Sequence, residues 1–394
     1  MLAVAATGCS ALLPGSDDEA QSGPGGGDLV IGVAQPLTGP VADAGQSVAA
    51  GAKIAAEEIN KAGGVDGRKI RLDVQDDAND PATCVNVAQK LVNQSQATAV
   101  MGGWGSSCTL AISPVTSRAQ VPLLVETSSS DKVTDPKESG NDWTFRISPT
   151  SNMEAHATRD LLREEGVKKV FFLSVNNDFG LGAAKHYGEL LTEAGVTNTG
   201  TAKFDQTAQS LSSQVTQAIG SGADTWVVTT DVAQIALLLK EAKGQNAKAR
   251  IITTGGSNSP LQLLELAGES VAEGTYATTF FPFFDPSAAA DPKGAAAFVA
   301  AWKAKGLNYG QITEGVRGYQ GIKVIAEAMR AAKDPSDRTA VRDALTKVST
   351  KGVVYGDIRF QNWQNLRNQT VPPVYLTRID KGKVTLVGTG EPPY

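Results

Sequence analysis

Along this chain, short apolar runs repeatedly end in Gly, Ser, Thr or Asp and pass directly into helix-patterned segments, which restricts the fold to alternating strands and helices. Leu29-Val30-Ile31-Gly32-Val33-Ala34 runs into the turn-rich Gln35-Pro36-Leu37-Thr38-Gly39-Pro40, and residues 46–61 then keep Val48, Ala52, Ala55, Ala56 and Ile59 at helical spacing. Asp80-Pro81 opens a further helix with Val85, Val87, Ala88, Leu91 and Val92 on its apolar side. The pattern restarts after residue 150. Val170-Phe171-Phe172-Leu173 leads to Asn176-Asn177-Asp178-Phe179-Gly180, Trp226-Val227-Val228 to Thr229-Thr230-Asp231, and Ile251-Ile252 to Thr253-Thr254-Gly255-Gly256. Such alternation predicts parallel, doubly wound α/β sheets, and the restart predicts two lobes whose polar strand ends face each other across a cleft. A chain of 394 residues is too large for one core and suits two.

Two polar strand ends carry the chemistry. Val100-Met101 runs into Gly102-Gly103-Trp104-Gly105-Ser106-Ser107-Cys108-Thr109, and Pro122-Leu123-Leu124-Val125 runs into Glu126-Thr127-Ser128-Ser129-Ser130. In parallel α/β sheets ligands bind beyond the carboxyl ends of neighbouring strands. Glycine followed by hydroxyls at a helix start offers free N–H groups, O–H groups and the positive dipole end. Two such ends side by side form a cup for a small carboxylate. The plainer reading makes Ser106, Ser107 and Ser129 ordinary helix N-caps.

The remaining composition excludes several classes. Lys and Arg total 36 against 41 Asp and Glu, with no basic stripe, so no nucleic-acid partner is expected. Only His156 and His186 are present, which argues against a His-based zinc site or a Ser-His-Asp triad. No metal or cofactor is expected.

The amino terminus reads as an address. Ala6-Thr7-Gly8-Cys9 resembles a bacterial lipobox and marks Cys9 as a lipid anchor, although the apolar stretch before it is short and lacks Lys or Arg, so the start reads as truncated. The alternative is an untargeted cytosolic chain with a chance cysteine. Residues 10–27, rich in Gly, Ser and Pro, read as a disordered tether. Cys84 and Cys108 remain as an even pair, which suits one bridge in an oxidising compartment with Cα atoms about 5 to 6 Å apart. Two buried free thiols are the alternative.

At this point the residues match a known family. The chain resembles the type I periplasmic binding proteins of ABC importers, in the leucine/isoleucine/valine-binding branch. The matching segments are residues 32–40 of the first strand and its loop, Glu57-Glu58-Ile59-Asn60-Lys61-Ala62-Gly63-Gly64-Val65-Asp66-Gly67-Arg68-Lys69-Ile70, Asp76-Asp77-Ala78-Asn79-Asp80-Pro81, Asn177-Asp178-Phe179-Gly180 and Tyr355-Gly356-Asp357-Ile358-Arg359-Phe360.

The resemblance implies two Rossmann-like doubly wound lobes joined by a three-crossing hinge. Lobe one is expected at 28–148 and 281–354, lobe two at 149–280 and 355–394. Crossings are expected near Ile147-Ser148-Pro149, Phe281-Pro282 and Phe360-Gln361-Asn362.

It also implies that the Ser106 and Ser129 hydroxyls hold a ligand carboxylate, that the family's backbone-carbonyl contact falls at Thr127, and that Ser128 lies among the ligand-binding residues. Trp104 and Gly105 would lie beside the ligand side chain, and Phe179 would close from lobe two. Where the family carries an acid for an α-ammonium this chain has Gly255, and Asp231 and Ala44 stand where it carries aromatics. Asp231, Glu126 or Glu314 would then pair the ammonium. If there is none, Trp104, Phe179 and Tyr276 would sandwich an apolar or aromatic acid.

The expected function is an exported, lipid-anchored solute-binding protein, not an enzyme. It is expected to be a monomer, to meet the membrane only through its anchor, and to deliver a branched-chain or other small amino acid, or a related carboxylate, to ABC permease subunits. The rivals are a binding protein for amine-free acids or amides, a sensor on the same fold, and an α/β hydrolase using Ser106, Ser128 or Ser129.

Overall fold

The computed structural model describes residues 27–138, 142–255, 259–354 and 356–393. Cys9, the lipobox and the tether up to residue 26 lie outside the described residues.

The first lobe opens with β1 (Leu29–Gln35), α1 (Ala42–Lys61), β2 (Ile70–Asp76), α2 (Pro81–Asn93), β3 (Ala99–Gly102), α3 (Ser106–Arg118), β4 (Leu123–Val125) and β5 (Thr144–Arg146). The chain then builds a second lobe. It contains α4 (Ser151–Glu164), β6 (Lys169–Val175), α5 (Asp178–Glu193), β7 (Thr197–Phe204), α6 (Ser212–Gly220), β8 (Thr225–Thr229), α7 (Val232–Gly244), β9 (Arg250–Thr253), α8 (Pro260–Ala267), α9 (Glu269–Ala272) and β10 (Tyr276–Thr279). Three helices return to the first lobe: α10 (Pro292–Ala304), α11 (Ile312–Ala331) and α12 (Arg338–Leu345). The remaining strands are β11 (Ser349–Lys351), β12 (Asp357–Arg359), β13 (Gln361–Trp363), β14 (Leu366–Gln369), β15 (Val374–Asp380) and β16 (Lys383–Gly390).

The sheet orders are β13-β14-β5-β4-β3-β1-β2 and β16-β15-β10-β9-β8-β6-β7. Each contains the same five parallel strands in the order 2-1-3-4-5, so each has a topological switch point beside its first strand. The central strands β1, β3, β4, β6 and β8 are buried on both faces, which is why they read as continuous apolar runs, whereas the edge strands β2 and β7 are partly exposed. Short polar residues start the helices: Asp80 Oδ1 accepts from Thr83 N (2.9 Å) with Pro81 at the first position of α2, and Thr150 Oγ1 accepts from Met153 N (3.0 Å) at α4.

The expected lobe boundary at residue 355 is corrected by strand pairing. β14 pairs in parallel with β5 through Gln369 and Arg146, and β13 pairs with β14, so residues 361–369 belong to the first sheet. The third crossing therefore follows Gln369, in Thr370-Val371-Pro372-Pro373, and not Phe360-Gln361-Asn362. Apolar residues Phe360, Trp363 and Leu366 are buried in this segment, and periodicity alone did not say against which lobe.

Cys84 and Cys108 form a disulfide between α2 and α3 with Cα atoms 5.7 Å apart, inside the expected range. Among the described residues no helix is long and apolar enough to cross a membrane.

Candidate functional site

A narrow cleft lies between the lobes, at the carboxyl ends of both sheets. The first lobe lines it with Trp104, Gly105 and Ser106 after β3, Thr127, Ser128 and Ser129 after β4, and Asn79 after β2. The second lobe contributes Val175, Asn177 and Phe179 around the end of β6, Gln206 after β7, and Thr230 and Asp231 after β8. Six loops from two sheets thus converge on one small space.

The hydroxyl groups are mutually braced. Ser106, the first residue of α3, accepts through Oγ from Ser128 Oγ (3.1 Å) and from the Ser130 amide (3.2 Å). Ser129 Oγ lies 3.2 Å from Ser151 Oγ. Thr127 Oγ1 is buried and has no partner among the described residues. Gly105 is the N-cap of α3, and a Cβ there would lie 2.1 Å from Asn79 Oδ1, so any side chain at 105 would push the Asn79 amide out of its place in the cleft wall.

Across the cleft Asp231 caps α7, Oδ1 accepting from Gln234 N (3.1 Å). Its other oxygen, Oδ2, is buried and accepts nothing among the described residues. Burial pushes the Asp231 carboxyl above its usual range.

Gly255 does not line the cleft itself. It has φ +100°, and a Cβ on it would stand 2.4 Å from Phe179 Cζ, so the aromatic ring fills the space a side chain would take. Its amide donates to Glu154 Oε1 (2.8 Å).

Three expected candidates stand elsewhere. Glu314 lies behind Trp104, accepting from its indole Nε1 (3.0 Å), and Arg317 Nε is 3.8 Å from its other oxygen. Glu126 is fully buried and accepts from Gln35 Nε2 (2.7 Å). Neither lines the cleft, because α11 and the start of the loop after β4 face the core of the first lobe. Tyr276 begins β10 and so lies at the opposite end of its sheet, donating to Glu165 beneath Arg250 and Arg378; it sandwiches no ligand in the cleft.

Other residues carried no signal of their role. Glu154 sits in a helix that reads as charged surface, yet it is fully buried and accepts from Gly255 and Thr278. Gln206 follows an edge strand in no motif. Asn79 and Asn177 fall inside segments that carry the resemblance, which implies no role for either. Asn177, not Asp178, caps α5. That leaves Asp178 to bind the other lobe: Oδ2 accepts from Ser107 Oγ (2.8 Å) and Oδ1 from Lys132 (3.0 Å). Asn79 Nδ2 donates to Gln206 Oε1 (3.2 Å) and His186 Nε2 lies 3.3 Å from Asp131. These four contacts hold the rims together.

Burial lifts the carboxyls of Glu126 and Glu154 to about 7, despite hydrogen bonds and the nearby Arg317 guanidinium. Both hold protons in the fold where the unfolded chain, with ordinary values near 4.5, does not. Their contribution to stability is therefore fullest below about pH 4.5 and is lost as the pH rises to about 7. The ligand-free melting temperature is expected to fall between pH 5 and about pH 7.5, and Glu154→Gln is expected to flatten the slope. A melting temperature that rises over this interval in both proteins would contradict the burial of these acids.

No base stands beside the serines: among the described residues Ser106, Ser128 and Ser129 bond each other, backbone and Ser151, while His186 faces Asp131 and His156 packs on Trp363.

Residues 28–383 match the model of the periplasmic binding protein family. The Leu/Ile/Val-binding protein homolog 7 of Brucella abortus is 29% identical over 371 residues, covering 89% of this chain and 89% of that protein. The leucine-binding protein LivK of Thermotoga maritima superposes with a TM-score of 0.81 at 24% identity, covering 92% of this chain and 99% of that one. The branched-chain amino acid transporter substrate-binding protein LivJ of Streptococcus pneumoniae, solved with isoleucine, gives 0.79 at 25% identity over 92% and 99%. The chain belongs to the periplasmic binding protein family, as a solute-binding protein with the type I two-lobe fold and not an enzyme.

Proposed function

We propose that this protein binds a small α-amino acid with an apolar side chain between its lobes and presents the closed form to an ABC permease. In this reading the ligand carboxylate sits against Ser106, Ser128, Ser129 and the amides around them, and its ammonium pairs with Asp231. The observation that carries the reading is the buried, unpartnered Oδ2 of Asp231 on the wall facing the serine cup. A buried acceptor left without a donor costs about 1 to 3 kcal/mol, so a ligand that supplies a charged donor is favoured there. Trp104, Val175 and Phe179 supply the apolar flank for the side chain. LivJ, at 25% identity, holds isoleucine. The protein would act as a monomer, held to the membrane by lipid on Cys9.

A thermal-shift panel of branched-chain amino acids, small polar amino acids and benzoate tests this. At one hundred times its dissociation constant a ligand stabilises by about 2.7 kcal/mol, a shift readily seen on melting. A branched-chain amino acid is expected to give the largest rise. A rise with benzoate and none with any amino acid would replace the reading with an amine-free carboxylate, for which the neutral form of Asp231 favoured by burial would be the better neighbour.

A further inference from the structure

The loop that forms the serine cup is held from behind by a buried cation. Arg146, the last residue of β5, is fully buried. Its Nη1 donates to the carbonyls of Ser130 (2.5 Å) and Ser128 (3.4 Å). Nη2 donates to Thr134 Oγ1 (2.7 Å) and Nε to Gln369 Oε1 (2.6 Å). All these partners are neutral, and among the described residues no carboxylate lies within ion-pair distance of Arg146. Burial lowers its pKa to about 10, offset only in part by Asp131, which itself faces His186.

A buried charge without a counter-charge is costly, so its retention calls for an explanation. The geometry supplies one. In a trans peptide the carbonyl and the following N–H point opposite ways. A guanidinium that draws the Ser128 carbonyl backward therefore turns the Ser129 amide away from itself, and Ser128 and Ser129 both line the cleft.

The network also reaches the hinge. Gln369 pairs with Arg146 across β14 and β5, and donates to the carbonyls of Ser148 (2.8 Å) and Thr370 (2.9 Å). Ser148 returns a bond to the Ser128 carbonyl (3.1 Å), and Thr370 Oγ1 donates to the Ile147 carbonyl (2.7 Å). Residues 147–149 and 370–373 are the segments in which the chain leaves the first sheet for the second lobe.

We propose that Arg146 is a positioning residue for anion recognition, whose charge has no ion-pair partner and is offset only in part by Asp131 until a ligand carboxylate enters the cup. It acts through the loop rather than by touching the ligand, and it ties the cup to the roots of two crossings. The proposal rests on the reading that the cup holds a carboxylate.

Removing Arg146 itself can abolish folding, so the test adds a counter-charge instead. Thr134→Asp places a carboxylate at the Nη2 contact, and Thr134→Asn is its neutral isostere. Affinities are measured by calorimetry with L-leucine and with L-leucinamide, which keeps the ammonium and lacks the carboxylate. The proposal expects the Asp variant to bind L-leucine at least about tenfold more weakly than the Asn variant, with leucinamide within about twofold. It also expects the Asp variant to melt higher than the Asn variant without ligand, because the new acid gives the cation an ion-pair partner. A purely structural Arg146 would move both ligands together. An equal leucine-to-leucinamide ratio in the two variants overturns the proposal. If the wild-type protein binds neither compound, the amino-acid reading fails, and the ligand-free melts decide for Arg146: an Asp variant that melts no higher than the Asn variant overturns it.

Discussion

Asp231→Asn is expected to remove most of the affinity for an amino acid while leaving that for a carboxylic acid of the same shape nearly unchanged. Asparagine keeps the α7 cap, since its side-chain oxygen can still accept from Gln234 N. What it loses is the charge on Oδ2, the atom without a partner. Truncating one partner of a buried, hydrogen-bonded charge pair costs about 2 to 5 kcal/mol, or roughly 30- to 5000-fold in affinity. The pH dependence carries the same signature. Because burial holds the free Asp231 carboxyl above its ordinary value, pairing with an ammonium requires loss of a proton when the pH lies below that raised value. Affinity in the wild type should rise with pH through that range, with proton release on binding, and both effects should vanish in Asp231→Asn. Equal losses for amino acid and plain acid would refute the pairing.

Gly255→Ala is expected to disturb the site from behind. Residue 255 has φ +100°, a conformation that costs a non-glycine residue about 1 to 3 kcal/mol. The added methyl would also stand 2.4 Å from Phe179 Cζ, so the ring must move, and the cleft is the open side toward which it can move. A lower melting temperature together with a roughly tenfold or greater loss of amino-acid affinity follows. Wild-type behaviour in both measurements would show that Phe179 is not seated on Gly255.

The architecture was legible because each central parallel strand is buried on both faces and ends in a polar tip, which leaves a clear mark in one dimension. The serine cup was legible for the same reason: Gly102 to Ser106 and Thr127 to Ser129 are continuous segments at strand ends. Groups that act across long sequence distances were not. Arg146 and Gln369 are 223 residues apart and meet only through the pairing of β5 with β14. Glu154 and Arg317 read along the chain as ordinary helix charge, and only tertiary packing takes them out of water, Glu154 against Gly255 and Thr278 in the second lobe and Arg317 beside Glu314 in the first. The third crossing was misplaced because a buried strand near the carboxyl terminus suits either sheet until its partner is known. Asp231 and Glu126 both stand at strand ends, yet only Asp231 lines the cleft, while Glu126 and the α11 residue Glu314 turn toward the core.

The account turns on a ligand read at both of its charged ends. Calorimetric titration of the wild-type protein, freed of any co-purified solute by unfolding and refolding with its disulfide intact, addresses that directly with L-leucine and 4-methylpentanoate, which differ by the ammonium. The account predicts one site per chain and binding of L-leucine at least about thirtyfold tighter than the amine-free acid. Equal affinity for the two, or no saturable heat with L-leucine, L-isoleucine or L-valine, would contradict it.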